Sequence, residues 1–194
     1  MDKPKTIVVI CGHPDKDTFS GNIADHYQAG AEDAGHTVHR FNIGELNFDP
    51  ILHKGYKEIQ ALEPDLINLQ NKIREADHIM IVYPNWWCSM PAILKGLFDR
   101  FWLPGFAFNF NKATKKVEKH LVGKTARVIN LSGSYSPLMM WWKFGDFTNE
   151  IQWGILEFAG IRTEVTSYGP TEKVSDAHRQ AWLKEVERFG KNAF

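Results

Sequence analysis

His78-Ile79-Met80-Ile81-Val82 runs directly into Tyr83-Pro84-Asn85-Trp86-Trp87-Cys88-Ser89-Met90-Pro91. How this stretch is read decides the fold. The first five residues have strand character without polar alternation, which marks a strand buried on both faces of a parallel sheet. Residues 92–102 then place apolar side chains at helical spacing, behind Pro91, a residue favoured in the first helical turn. Strand, loop and helix in that order form the unit of a doubly wound sheet. A loop at the carboxyl end of a buried strand is where such sheets bind ligands.

Outward from this unit the alternation continues in both directions. Strands are expected at residues 6–10, 37–41, 126–131 and 162–167. Helices are expected at 22–34, from Pro64, at 150–159 and at 175–189, with Ser175 as a cap. Gly35 and Gly160 are placed to end two of them. Residues 132–147 read as a loop rich in aromatics and methionine. The expectation is α/β: a five-stranded parallel sheet with helices on both faces and right-handed crossovers, a single domain over 1–194.

Composition narrows the classes of function. The chain has 194 residues, is 43% hydrophobic, and balances 23 Lys+Arg against 23 Asp+Glu. That balance gives no basic excess for nucleic acid. The two cysteines, Cys11 and Cys88, offer neither a disulfide framework nor zinc spacing, and both are expected as buried free thiols. No apolar run approaches membrane-spanning length, and the start lacks the apolar core of a signal peptide. A soluble cytoplasmic protein without membrane insertion is expected.

Three loops converge on one sheet edge. The first, residues 12–22, lacks a Gly-x-Gly-x-x-Gly fingerprint and a P-loop lysine. It offers His13, the hydroxyls of Thr18 and Ser20, and free amides at a helix start, a set that can hold a phosphate without a cation. Ordinary capping by Thr18 or Ser20 is the plainer alternative. The second is the Pro-Asn-Trp-Trp loop. Its prolines fix the backbone, and its flat side chains and amides suit a planar, polar-edged ring such as an isoalloxazine. A stiff core turn would have the same composition. The third begins Ser132-Gly133-Ser134-Tyr135, small enough for close backbone approach. Phe106, Phe108 and Phe110 alternate at strand spacing, as a core face or a pocket lid. Lysines in 112–124 read as a solvated loop. No nucleophile–base pair or metal motif is evident, which fits an enzyme whose cofactor supplies the chemistry.

Together these residues resemble the flavodoxin-like NAD(P)H:quinone oxidoreductases, the family of DT-diaphorase and the bacterial modulators of drug activity. The resemblance covers nearly the whole chain and is most specific over 83–101, Tyr-Pro-Asn-Trp-Trp-Cys-Ser-Met-Pro-Ala-Ile-Leu-Lys-Gly-Leu-Phe-Asp-Arg-Phe, and at Gly105-Phe106-Ala107-Phe108. It implies that His13, Thr18, Phe19 and Ser20 bind flavin phosphates. Pro84, Asn85, Trp86, Trp87 and Cys88 would run along the isoalloxazine, and Ser132, Gly133 and Ser134 would complete that contact. Phe108 and Phe110 stand where the family has aromatic walls contributed by a partner subunit, which implies a homodimer with the flavin site at the interface. Tyr135 and Phe144 are further candidates for the substrate pocket. The family's histidine is replaced by Phe144 before Gly145-Asp146, and Tyr135 lies near the place of its tyrosine.

The resemblance implies a two-electron, ping-pong transfer of hydride from NAD(P)H to a quinone or another small aromatic acceptor. Residues 48–63, kept by FAD-binding relatives and absent from the shortest FMN-binding ones, could cover an adenine. FAD is therefore expected, with FMN the alternative. A flavin-binding regulatory subunit of a membrane transporter and a one-electron flavodoxin-type carrier are the rival readings. Zero net charge speaks against the carrier, which is usually acidic.

Overall fold

The computed structural model describes residues 3–145 and 147–193, so Asp146 lies outside the described residues. In chain order the elements are β1 (Thr6–Cys11), α1 (Phe19–Asp33), β2 (Thr37–Asn42), α2 (Pro64–Glu75), β3 (His78–Pro84), α3 (Ala92–Phe101), β4 (Phe108–Phe110), β5 (Val117–Lys119), β6 (Thr125–Leu131), α4 (Pro137–Phe144), a π-helix (Glu150–Leu156) with a 3₁₀ turn (Glu157–Ala159), β7 (Arg162–Tyr168) and α5 (Asp176–Asn192). The main sheet runs β2-β1-β3-β6-β7 with every pairing parallel. The order reverses beside β1, so the carboxyl ends of β1 and β3 open a crevice there. The five strands expected from the sequence form this sheet, and the fold is flavodoxin-like α/β, as expected.

Alternate side chains of each strand serve two cores. Ile7, Val9, Met80, Val82 and Ile129 pack under α1 and α5 with Ile23, Tyr27, Leu183 and Val186. Val8, Ile10, Ile79, Ile81 and Val128 pack under α2, α3 and the π-helix with Leu69, Leu97, Phe101 and Leu156. Helices α1 and α5 touch backbone to backbone. A Cβ on Gly30 would lie 2.1 Å from the Glu187 carbonyl, and one on Gly190 2.1 Å from the Tyr27 carbonyl.

Arg100, buried on α3, fixes the long excursion between β2 and α2. It donates to the carbonyls of Asp49 and Ala61 and to both oxygens of Glu63, the latter at 3.1 and 2.9 Å. Burial pushes the Glu63 carboxyl up, but bonds from the Asp49 amide and Arg100 outweigh it and hold it below its ordinary range.

Several expectations need correction. Residues 132–147 are not a continuous loop: Ser136 accepts from the Met139 amide at 3.3 Å and caps α4, which ends at Gly145 with φ 74°. The helix expected at 150–159 is wound as a π-helix and a 3₁₀ turn. Phe106 does not share a face with Phe108 and Phe110, because it precedes the hairpin strand and is buried against Phe101 and Trp102. Cys11 is buried, but Cys88 is only half-buried, since it sits on a surface turn. Residues 112–124 include β5 as well as exposed turn. No helix among the described residues is long and apolar enough to cross a membrane.

Candidate functional site

Four strand ends build one cavity of about 700 Å³. From the loop after β1 come His13, Thr18, Phe19 and Ser20; from that after β3, Pro84, Asn85, Trp86, Trp87 and Cys88; from that after β6, Ser132, Gly133, Ser134 and Tyr135; from α4, Met140 and Phe144. Thr171 and Glu172, beyond β7, close the side. The three loops singled out from sequence therefore do meet. Phe108 and Phe110 do not join them. They line a second, mainly apolar cavity of about 840 Å³, with Tyr56, Ile59, Trp102 and Phe158. The β4–β5 hairpin lies beyond α3, which separates the two cavities along the chain.

One end of the first cavity is built for an anion. Thr18 is the N-cap of α1 but its side chain caps nothing; its hydroxyl donates to the Asp15 carbonyl at 3.2 Å. Among the described residues the amides of Phe19, Ser20 and Gly21 meet no acceptor, as the unsatisfied donors of a helix start. His13 Nδ1 accepts from the Asp15 amide at 2.9 Å, so a neutral ring carries its proton on Nε2. The same ring meets Trp86 edge-on at 5.3 Å. Cys11 behind it is no reactive thiol, because burial pushes its pKa up.

The other end is built for a ring with a polar edge. The Asn85 amide donates to the Leu131 carbonyl at 2.7 Å, tying this loop to β6. Trp86 and Ser89 exchange both backbone hydrogen bonds, at 2.9 and 3.1 Å. Between them Trp87 (φ 55°) and Cys88 (φ 63°) both adopt the left-handed conformation. Two such residues between an exchanging pair make a tight turn usually given to Asn-Gly. Among the described residues the amides of Trp87 and Cys88 meet no acceptor, and neither does the buried Asn85 Nδ2. Two backbone amides and the enclosed Asn85 Nδ2 thus lack a protein acceptor in a loop that lines the cavity, beside a fully exposed Trp87 ring.

The loop after β6 is latched to the chain after β7. Ser132 donates its amide to Tyr168, and its carbonyl accepts from the Thr171 amide at 2.8 Å. The Gly133 carbonyl accepts from the Glu172 amide at 3.0 Å, and Ser134 Oγ donates to Glu172 Oε2 at 3.4 Å. Tyr135 and Phe144 meet edge to face at 6.1 Å, with Lys143 Nζ 4.8 Å from the Tyr135 ring centre. Sequence reasoning missed Thr171 and Glu172. The rule that brings loops to the carboxyl edge applies to β7 as well, and would have found them.

A flavin fits this donor set: an uncompensated helix start for its phosphate, orphaned donors for its carbonyl and nitrogen edge, and flat side chains beside them. Among the described residues no group of His, Cys, Asp and Glu is arranged to hold a metal ion.

The family model described as "flavodoxin-like fold" matches residues 5–189. Ribosyldihydronicotinamide dehydrogenase [quinone] of Rattus norvegicus is 26% identical over 222 residues, covering 96% of this chain and 93% of that protein. The Escherichia coli protein named NAD(P)H oxidoreductase YcaK is 30% identical over 107 residues. That match covers 53% of this chain and 55% of YcaK, about half of each. The crystal structure of Smu.1420 from Streptococcus mutans superposes with a TM-score of 0.83 at 28% identity, covering 96% of this chain and 99% of that one.

Proposed function

The chain belongs to the flavodoxin-like fold family, and we propose that it is a flavin-dependent NAD(P)H dehydrogenase acting on quinones or similar aromatic acceptors. The observation that carries this is the trio of orphaned donors, the enclosed Asn85 Nδ2 and the amides of Trp87 and Cys88, in a loop that lines the same cavity as an open helix start. The rat relative named a quinone dehydrogenase, matched over nearly its whole length, supports the same reading.

When bound, the flavin supplies the redox chemistry, taking a hydride from NAD(P)H and delivering it to the acceptor. The protein's part is to bind and orient. The α1 amides and His13 Nε2–H would hold the phosphate, with the helix dipole in place of a cation. The Trp87 and Cys88 amides, held by their turn, would stabilise negative charge on the ring's polar edge. Tyr135, Phe144 and Met140 would shield the space beside it from water. One cavity would serve nucleotide and acceptor in turn, a ping-pong order.

The second cavity supports a homodimer. Phe108 and Phe110, with Phe110 62% exposed, form an aromatic wall away from their own chain's first cavity, available to a second copy's. The choice of flavin follows the same assembly. In a single chain, Leu52, Tyr56, Glu58, Ile59 and Gln60 of the 48–63 excursion line the second cavity and none of the excursion lines the first. FAD is proposed with the dimer, in which a partner's excursion could cover the adenine; FMN needs only the first cavity.

The test is an absorbance spectrum of the purified protein, mass analysis of any released cofactor, and anaerobic titration with NADH and NADPH. Yellow protein that bleaches in one two-electron step and recovers with a quinone is expected. Protein that stays colourless after addition of FMN and FAD overturns the reading.

A further inference from the structure

The Trp86–Ser89 turn is fastened from outside by a carboxylate far away in sequence. Ser89 Oγ donates to Glu150 Oε1 at 2.8 Å, and the Met90 amide donates to the same oxygen at 3.4 Å. Glu150 opens the π-helix, a winding that often marks functional positions. That helix is itself anchored. Its Ile155 carbonyl accepts from Trp102 Nε1 at 3.1 Å, and Gln152 Nε2 donates to the Thr163 carbonyl at 3.4 Å.

The turn needs such a fastening. Two adjacent non-glycine residues in the left-handed region are each disfavoured, and persist where surrounding contacts over-determine them. The backbone supplies only the Trp86–Ser89 exchange within the turn. Were the turn to relax, Trp87 and Cys88, which line the cavity, would lose the backbone orientation that it imposes on their amides.

We propose that Glu150 is a positioning residue, whose carboxylate fastens the left-handed turn so that the Trp87 and Cys88 amides stay presented to a flavin ring. This rests on the flavin reading above for its ligand, and on the turn alone for its mechanics.

Glu150→Ala and Glu150→Gln separate the two. In flavin-free protein, hydrogen exchange at the Trp86 and Ser89 amides reports the turn; quenching of added FMN and FAD fluorescence reports binding. Glu150→Ala should speed that exchange about tenfold and weaken flavin binding about tenfold, the effect of losing a bond to a charged acceptor. Glu150→Gln keeps an acceptor oxygen and should restore both. Unchanged exchange and affinity in Glu150→Ala overturn the proposal while leaving the flavin reading intact. If the natural protein binds no flavin, that reading fails, and exchange alone decides: faster in Glu150→Ala upholds the fastening, unchanged overturns it. Should Glu150→Ala fail to fold, Ser89→Ala breaks the same bond from its other side and is read in the same way.

Discussion

Trp87 and Cys88 occupy backbone angles that a side chain resists, at about 1–2 kcal/mol for each residue. Cys88 is half-buried, so little packing is at stake there. Cys88→Gly should therefore raise stability by about 0.5–1 kcal/mol, whereas Cys88→Val, with its branched β-carbon, should lower it by more than about 1 kcal/mol. Urea unfolding of the two variants checks the pair; a loss in Cys88→Gly would mean that the thiol packs more than its exposure indicates. None of this was legible in the sequence. The prolines at 84 and 91 announce a rigid loop, but nothing in Asn-Trp-Trp-Cys-Ser announces two left-handed residues. Arg100 is a similar case. On a helix of 3.6 residues per turn it reads as a polar position, yet it is 1% exposed because the excursion folds over it. Glu63→Ala would leave that guanidinium short of its charge partner, and a loss of about 3 kcal/mol is expected by chemical denaturation. Arg100→Met should cost less, since the carboxylate left behind is partly in solvent.

At the scale of elements, the strands were legible and α4 was not. Strands β1, β3 and β6 are apolar runs that no other element explains. Helix α4 buries only Met140, while Leu138, Met139, Trp141, Trp142 and Phe144 stay on the surface. It therefore has no apolar stripe for a periodicity argument to find. Its local signals were present, Ser136-Pro137 at the start and Lys143-Phe144-Gly145 at the end, and they outrank the missing stripe. The π-helix was missed for a different reason: its winding depends on contacts to Trp102 and Thr163 that no local pattern encodes. The α1–α5 crossing gives a sharper test of how closely elements fit. Gly30→Ala and Gly190→Ala each force a methyl against a carbonyl of the facing helix, and each should cost about 2 kcal/mol. Because both clashes are relieved by one parting of the same helices, the double variant should cost clearly less than the sum. Additive losses in urea unfolding would show that the two ends of the crossing yield independently.

Across the whole molecule, acid should act on the sheet from beneath and on the excursion from outside. His78 lies at the amino end of β3, stacked on Tyr27 at 6.2 Å, with Nδ1 2.7 Å from the Thr125 hydroxyl. Burial, with the charges of Lys5, Arg127 and His36, holds its pKa down to about 3 from 6.5. The unfolded chain then binds a proton that the folded chain refuses, so stability present above pH 6.5 is lost as pH falls toward 3. Glu63 adds a loss at lower pH, beginning below 4.5, its ordinary value, and continuing through its depressed one. Unfolding measured from pH 7 to 4 should show the first slope, and His78→Gln should flatten it; a slope unchanged in that variant would place the acid sensitivity elsewhere. The parallel sheet and the meeting of three loops were legible because they follow from strand and helix alternation, whereas the strand order β2-β1-β3-β6-β7 is set by how the crossovers pack. The separation of Phe108 and Phe110 from that edge was not, since it depends on where a hairpin lands. It matters for the proposed homodimer, in which each working site would take its first cavity from one copy and its aromatic wall from the other. Ser20→Asp puts a charge where a phosphate would bind, and Phe108→Ser with Phe110→Ser strips the wall. Each variant alone should be nearly inactive. Mixed in equal amounts after reversible dissociation, half the pairs are hybrids with one intact site, so about a quarter of the natural quinone reductase activity should return. Activity that stays at the level of the separate variants would mean that each chain completes its own site.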